Sequence, residues 1–372
     1  MAGQRSVVRP LGKNEPIEEK LVRSIQEVGP RNIAELSRMT GAHPETIRYK
    51  VKRQFKKLGI RIHAEPDYRK LGLVPIWADV TFSPRFGGST GAIFRALSKC
   101  ACLVYYGKLL PQGRFACMFA IPEGKKSQLE DLLAYMKRSG VFSSSTMNEC
   151  AVSRINRMDP RFFDFHSGVW RIDWNEVERS SGSEVKIRGP VPPARVDLYD
   201  LLLIKELQID SLQHLVSIAK KLKVHAKTLE YHYRAHLQKE KLVSSYYLRW
   251  MRDIESSVAH SVLITRLTFR DLGASFKRVQ RVVSKIPFLW AEYVFKDGTY
   301  VVFLDVPVRE TMTTLDYLNS ELPDLFDKVE MSYVKRKEAS LFTLPYEMFK
   351  DGWTYDLKKA KSTLSAIQRK KG

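Results

Sequence analysis

His43-Pro-Glu-Thr-Ile-Arg-Tyr49 recurs as His225-Ala-Lys-Thr-Leu-Glu-Tyr231, with His, Thr and Tyr coinciding at an offset of 182 residues. The surroundings repeat with it. Upstream, Ile33-Ala-Glu-Leu36 falls on Leu215-Val-Ser-Ile218. Downstream, Gly113-Arg-Phe-Ala-Cys-Met-Phe-Ala-Ile-Pro122 falls on Gly298-Thr-Tyr-Val-Val-Phe-Leu-Asp-Val-Pro307 at an offset of 185, and Trp170-Arg-Ile-Asp173 on Trp353-Thr-Tyr-Asp356 at 183. Four blocks in one order with drifting offsets predict a unit of about 180 residues written twice. The junction falls near Ser180-Ser-Gly-Ser-Glu-Val-Lys-Ile-Arg-Gly-Pro-Val-Pro-Pro193, whose Gly, Ser and Pro content marks a linker.

Each unit divides again. Apolar residues at helical spacing (Ile17, Leu21, Ile25, Val28, then Ile33, Leu36) predict helices over 17–28 and 32–39, with Gly29-Pro30 stopping the first. A third helix follows over 44–58. Pro44 suits its first position and His43 its cap, and Ile47, Val51, Phe55 and Leu58 form its apolar face. Gly59 ends it, and Ile60-Arg-Ile-His63 is a short strand, so the expected motif is a winged helix-turn-helix. Strands over 74–82, 102–109, 114–121 and 142–152 alternate with helices over 91–99 and 127–136 in the order β-α-β-β-α-β, which is ferredoxin-like. The second copy gives the same order from 260 to 334. The expected fold class is α+β, two tandem copies of a winged helix-turn-helix followed by a ferredoxin-like domain. The expected boundaries are a basic tail (1–16), helix-turn-helix 1 (17–72), ferredoxin-like domain 1 with a Trp-containing tail (73–178), a linker (179–195), helix-turn-helix 2 (196–255), ferredoxin-like domain 2 with its own Trp tail (256–357) and a basic tail (358–372).

The 372 residues carry 62 Lys and Arg against 41 Asp and Glu, a net charge of +21, which predicts a polyanionic partner. No window of about 18 apolar residues exists and no apolar run follows Arg5 and Arg9, so neither a bilayer span nor a secretory signal is expected. The expected location is cytoplasmic and nucleoid-associated. Cys100, Cys102, Cys117 and Cys150 form no C-x-x-C pair, which suits a reducing compartment, and Cys100-Ala-Cys102 is taken as apolar residues leading into a strand.

Charge concentrates on the third helix. Six of the fourteen residues from Pro44 to Lys57 are Lys or Arg, with one acid, Glu45. A solvated face explains such a run poorly. The second helix of a helix-turn-helix enters the major groove with its N-terminal residues at base edges. His43, Glu45, Thr46, Arg48 and Tyr49 therefore become candidate readers, with Arg48 able to pair bidentately with guanine. Lys52, Arg53, Lys56 and Lys57 lie later and suit phosphates. In the second copy only Lys227, Arg234 and Lys239 are basic over the aligned fourteen residues, and Glu230 and Ala235 replace Arg48 and Arg53. Lys227, Tyr231 and Arg234 are its candidate contacts, expected to bind more weakly.

The stretch from Ile33 to Ile60 resembles the helix-turn-helix of the Lrp/AsnC transcription regulators, and Asp67-Tyr-Arg-Lys-Leu-Gly-Leu73 resembles the connection from wing to sheet in that family. The resemblance implies a regulator of transcription that binds double-stranded DNA, with a ferredoxin-like domain for oligomerisation into homo-oligomers and for binding a small-molecule effector. Family members usually carry one such unit. A covalent pair offers both reading helices, about 34 Å apart, from one chain and suits an asymmetric site.

Other signals carry less. Gly87-Gly-Ser-Thr-Gly91 matches a nucleophile elbow, but Ser89 or Thr90 is taken as a helix cap. His225, His232 and His236 are taken as polar helix surface, since no fourth metal ligand is evident. No phosphate-binding P-loop is present. The chain is therefore expected to have no catalytic residues, no cofactor, no metal and no enzymatic activity. Two alternatives are an RNA-binding protein, with Phe115 and Phe119 on one strand face as stacking platform, and a charge-driven architectural chromatin protein. The paired segments Phe162–Trp174 and Tyr346–Asp356 are expected to latch over an apolar patch left by the sheet.

Overall fold

A computed structural model describes residues 15–184, 191–250, 260–270, 272–322, 325–334 and 336–369. Most of the expected basic tail 1–16, the middle of the expected linker and residues 370–372 lie outside the described residues, whereas the rest of the expected tail 358–372 is helix.

The chain begins with α1 (Ile17–Val28), which buries Leu21, Val22 and Ile25. Gly29 stops it at φ 83°, and a Cβ there would lie 2.6 Å from the Tyr246 ring, so this glycine also permits a close approach of the two halves. α2 (Ile33–Thr40) is capped by Asn32, whose side chain accepts from the Glu35 N–H. α3 (Pro44–Tyr49) starts on the His43 cap, loosens into a π-helical segment (Lys50–Gln54) and closes in α4 (Phe55–Lys57). Strand β1 (Ile60–Pro66) follows. Next come β2 (Leu73–Phe82), α5 (Thr90–Cys100), β3 (Leu103–Lys108), β4 (Phe115–Pro122), α6 (Lys126–Arg138) and β5 (Phe142–Ile155). Ser89 precedes α5, but its hydroxyl makes no capping bond. The first tail holds a short ribbon, β6 (Phe163–Asp164) and β7 (Val169–Trp170), then α7 (Trp174–Arg179).

The same succession recurs. α8 (Leu198–Ile209), α9 (Leu215–Leu222) and α10 (Ala226–Tyr231), prolonged by a π-helical segment (His232–Gln238), lead to β8 (Val243–Trp250). Then follow β9 (His260–Thr268), α11 (Ala274–Val283), β10 (Leu289–Phe295), β11 (Thr299–Pro307), α12 (Thr311–Glu321), β12 (Lys328–Val334), the short β13 (Ala339–Leu341) and α13 (Leu357–Arg369).

Among the described residues the strands form one nine-stranded sheet in the order β12-β9-β11-β10-β5-β2-β4-β3-β13, with β1-β8 and β6-β7 as separate pairs. The fold is thus mixed α+β around a large antiparallel sheet. Its two halves join edge to edge where β10 pairs with β5, with Tyr293 opposite Ser153. The ferredoxin-like sheets, expected to serve oligomerisation, here pair with each other within one chain. β1 and β8 likewise pair antiparallel, with Ile62 opposite Leu248.

The sheet curls until it closes on itself. Arg266 on β9 reaches Asp79 on β2 at 2.6 Å, although three strands separate them in the order. Trp77 packs on Tyr293 and Phe303, with ring centroids 5.5 and 5.8 Å away. Leu110 and Tyr333 exchange backbone hydrogen bonds of 2.8 and 2.9 Å across the seam. Both faces of β4 are buried, one on the barrel interior and one beneath helices, so Phe115 and Phe119 offer no open platform for stacking bases.

The aromatic tails cross over. Trp170 is 5% exposed and packs on Phe163 and on Phe288 of the other half. Trp174 lies against Phe288 and Tyr317 and donates through Nε1 to Glu310 at 3.2 Å. In return, Trp353 donates to the Leu71 carbonyl at 2.5 Å, and α13 packs on α5 and α6, with Tyr135 and Ser365 hydroxyls 2.7 Å apart. The expected latches are present as burial, but each reaches the opposite half as well as packing on helices of its own, Phe165 on Phe55 and Tyr346 under Lys205.

Candidate nucleic-acid interface

The helix running through α3, its π segment and α4 is anchored by the apolar face read from the sequence. Ile47, Val51, Phe55 and Leu58 are buried, and Phe55 stacks on Phe165 of the first tail at 6.1 Å. The opposite side is exposed. Lys52, Arg53, Lys56 and Lys57 together line an open hollow. None of the four makes an ion pair with an acid among the described residues; Lys52 Nζ lies 3.5 Å from His214 Nε2.

The two remaining cations of the run are engaged. Arg48 is ion-paired with Glu45 one turn earlier on the exposed surface. Lys50 turns inward, its Nζ 2.6 Å from Glu18 Oε1 on α1. Tyr49 is 64% exposed, and His43 Nδ1 accepts the Glu45 N–H at 3.3 Å, so the ring closes the helix start. Thr46 is half-buried beside them. The candidate residues of the first helix therefore form two groups on one surface: His43, Glu45, Thr46, Arg48 and Tyr49 at its start, and four cations beyond.

In the second half Lys227 and Tyr231 are exposed, but Arg234 is tied to Glu230 at 2.7 Å. His232 and His236 are not polar surface as the sequence suggested. His232 is buried, and both rings turn onto the fully buried Asp200 of α8, at 2.8 Å each. The signal for this was Asp200, three residues after the Asp197 cap of α8, which only the packing of α8 on the later helix brings to the histidines.

Two further clusters have no local sequence signature. One mouth of the curled sheet holds a hollow of about 340 Å³ lined by Asp79, Thr81, Arg114, Arg266, Lys328 and Glu330 among others. Within it Arg266 pairs with Asp79, Arg114 with Glu330, and Trp77 Nε1 donates to Asp79 at 3.1 Å. The second is Glu65 on β1, where burial, with a smaller contribution from Asp67, pushes the carboxyl up to about 8. The four cysteines are buried and unpaired with one another. Burial pushes all four thiols up, Cys100 to about 11, which makes them poor nucleophiles.

Among the described residues no helix is long and apolar enough to cross a membrane. No family model matches the chain, and no curated protein matches it. Solved structures do. An AsnC family transcriptional regulator from Agrobacterium tumefaciens covers 42% of this chain over its whole length, at 15% identity and TM-score 0.34. The siroheme decarboxylase NirDL, with its whole length matched, covers 95% of this chain at 11% identity and TM-score 0.56, and its complex with an iron-uroporphyrin III analogue matches over the same shares at 10% identity. The expectation of a protein without enzymatic activity is overturned by this match, because a chain that shares the architecture end to end is an enzyme. At such identity the likeness is one of fold: the chain has the full-length fold of NirDL.

Proposed function

We propose that the chain is a tandem Lrp/AsnC-like regulator that binds double-stranded DNA, chiefly through the helix from Pro44 to Lys57. The observation that carries this is the row of Lys52, Arg53, Lys56 and Lys57, exposed together on a helix whose other face is buried, with no acid pairing them among the described residues. Unpaired cations at close quarters repel one another, and a phosphate backbone relieves that repulsion while releasing counterions. Arg48 would exchange Glu45 for a base edge on docking, which makes its contact conditional on sequence. Lys227, Tyr231 and Arg234 form a weaker second contact, since Arg234 must leave Glu230.

The test is duplex binding against salt. Four phosphate contacts predict a slope of log K on log salt of about −3 to −4, and Lys56→Ala reduces it by about 1 on every sequence. Arg48→Ala relaxes sequence choice by about 1–3 kcal/mol at one base pair. A flat salt response, or tighter binding to single-stranded RNA than to duplex DNA, refutes the proposal.

A small-molecule site in the curled sheet is the second function we propose, supported by the hollow at its mouth and by the likeness in fold to an enzyme that takes a tetrapyrrole analogue in a complex. About 340 Å³ is at the lower end of the 300–1,000 Å³ of small-molecule sites, so a compact polar ligand, effector or substrate, fits it better than a macrocycle.

A further inference from the structure

α8 opens with a capping box. The Asp197 side chain accepts from the N–H groups of Tyr199 and Asp200 at 2.9 and 3.1 Å, and Asp200 accepts the Asp197 N–H at 3.1 Å. This turns the Asp200 carboxylate inward, where it is fully buried. From the facing helix, His232 and His236 stand four residues apart on one side. Each places Nδ1 2.8 Å from a different oxygen of Asp200. Asp197 Oδ1 lies 3.6 Å from His232 Nδ1 at the rim. The four ligand atoms lie within 4.8 Å of one another.

We propose that Asp200, His232 and His236, with Asp197 at the rim, bind one divalent transition metal ion of the zinc type. Two imidazoles and two carboxylates are a common donor set for that ion. Bonds of about 2.0–2.2 Å to a tetrahedral centre space its ligands about 3.3–3.6 Å apart, between the 2.8 Å and the 4.8 Å that bracket the spacings found here. Each neutral imidazole moves its proton from Nδ1 to Nε2 and offers the Nδ1 lone pair, so the number of protons on the cluster is unchanged.

The first half supplies an independent reason. At the offset of 182 residues, Glu15, Glu18, Lys50 and Gln54 stand where Asp197, Asp200, His232 and His236 stand. There the Lys50 ammonium sits 2.6 Å from Glu18 and 3.2 Å from Gln54 Oε1, and Gln54 Nε2 sits 3.3 Å from Glu18. A covalently attached cation therefore fills the place between α1 and the basic helix. In the second half that lysine is a histidine, the acid is shorter by one methylene and the amide is an imidazole. The cation is gone from the chain and metal donors stand in its place. A bound ion would tie α8 to the helix that carries Tyr231 and Arg234.

The test uses the full-length chain without an affinity tag, stripped by a chelator and dialysed against zinc or cobalt(II). One equivalent of metal per chain, visible d–d absorption of tetrahedral cobalt and an upward shift of the melting temperature are expected. His236→Gln, which installs the side chain of the first half, and Asp200→Asn lose the equivalent and the shift, while Gln54→Ala keeps both. Natively folded wild-type chain that takes up no stoichiometric metal leaves a hydrogen-bonded cluster only and overturns the proposal. So does undiminished uptake by folded His236→Gln, or a thiolate-to-cobalt band that assigns the metal to cysteines.

Discussion

Glu65 is a carboxyl held among protein groups at the end of β1, with its pKa raised to about 8 against 4.5. A raised acid means that the folded chain holds a proton that the unfolded chain has released. Its contribution is fully present below about pH 4.5 and is lost as pH rises through about 8. Glu65→Gln removes that dependence. The variant melts above the wild type at pH 9, and the difference shrinks toward pH 5; parallel melting curves across this range would show that the carboxyl is not the cause. At the same scale, the spacing of Ile47, Val51, Phe55 and Leu58 announced burial, because side chains three and four apart share a helix face. It did not announce that Lys50 points inward while Lys52 points out. That follows from Glu18, which sits on another helix 32 residues earlier.

At the scale of elements, the limits of helices and strands were legible because their signals are local: Pro44 at a first turn, Gly29 and Gly59 in positive φ, apolar runs in β2 and β4. The π-helical stretch in the basic helix carried no such signal. Among the tails, Trp170 is a large residue that packing commits. Its ring meets Phe163 at 5.3 Å and Phe288 at 6.4 Å, and it is almost wholly covered. Trp170→Ala is expected to cost about 3–5 kcal/mol of stability, as aromatic truncation in a core does. DNA affinity measured well below the melting temperature should be unchanged, since the basic helix meets the tail through Phe55 on its buried face while Lys52, Arg53, Lys56 and Lys57 lie on its exposed one. Equal melting of variant and wild type would remove the tail from the core.

At the scale of the whole molecule, the two halves are tied by β1 against β8, by β5 against β10, by β3 against β13 and by the crossed tails. Ties of this extent predict one cooperative unfolding transition rather than two. Leu364 on α13 is buried against the helices of the first half, far from it in sequence. Leu364→Ala should cost about 2–5 kcal/mol and move the entire transition, not a part of it. Calorimetry resolving two transitions, only one of them shifted, would show halves that fold separately.

By itself the sequence determined the repeated order of helices and strands, because periodicity, caps and turn residues act within a few positions. It also determined the basic helix and its unequal counterpart, since charge is counted residue by residue. It led to the wrong expectation on enzymatic activity, because an architecture shared with an enzyme leaves no local motif here. Only the tertiary structure decided that the sheets merge and close within one chain, that each tail reaches across to the other half, and that His232, His236 and Asp200 meet. Each of those contacts joins residues tens to hundreds of positions apart, and pairing at that range depends on packing, which no local spacing encodes.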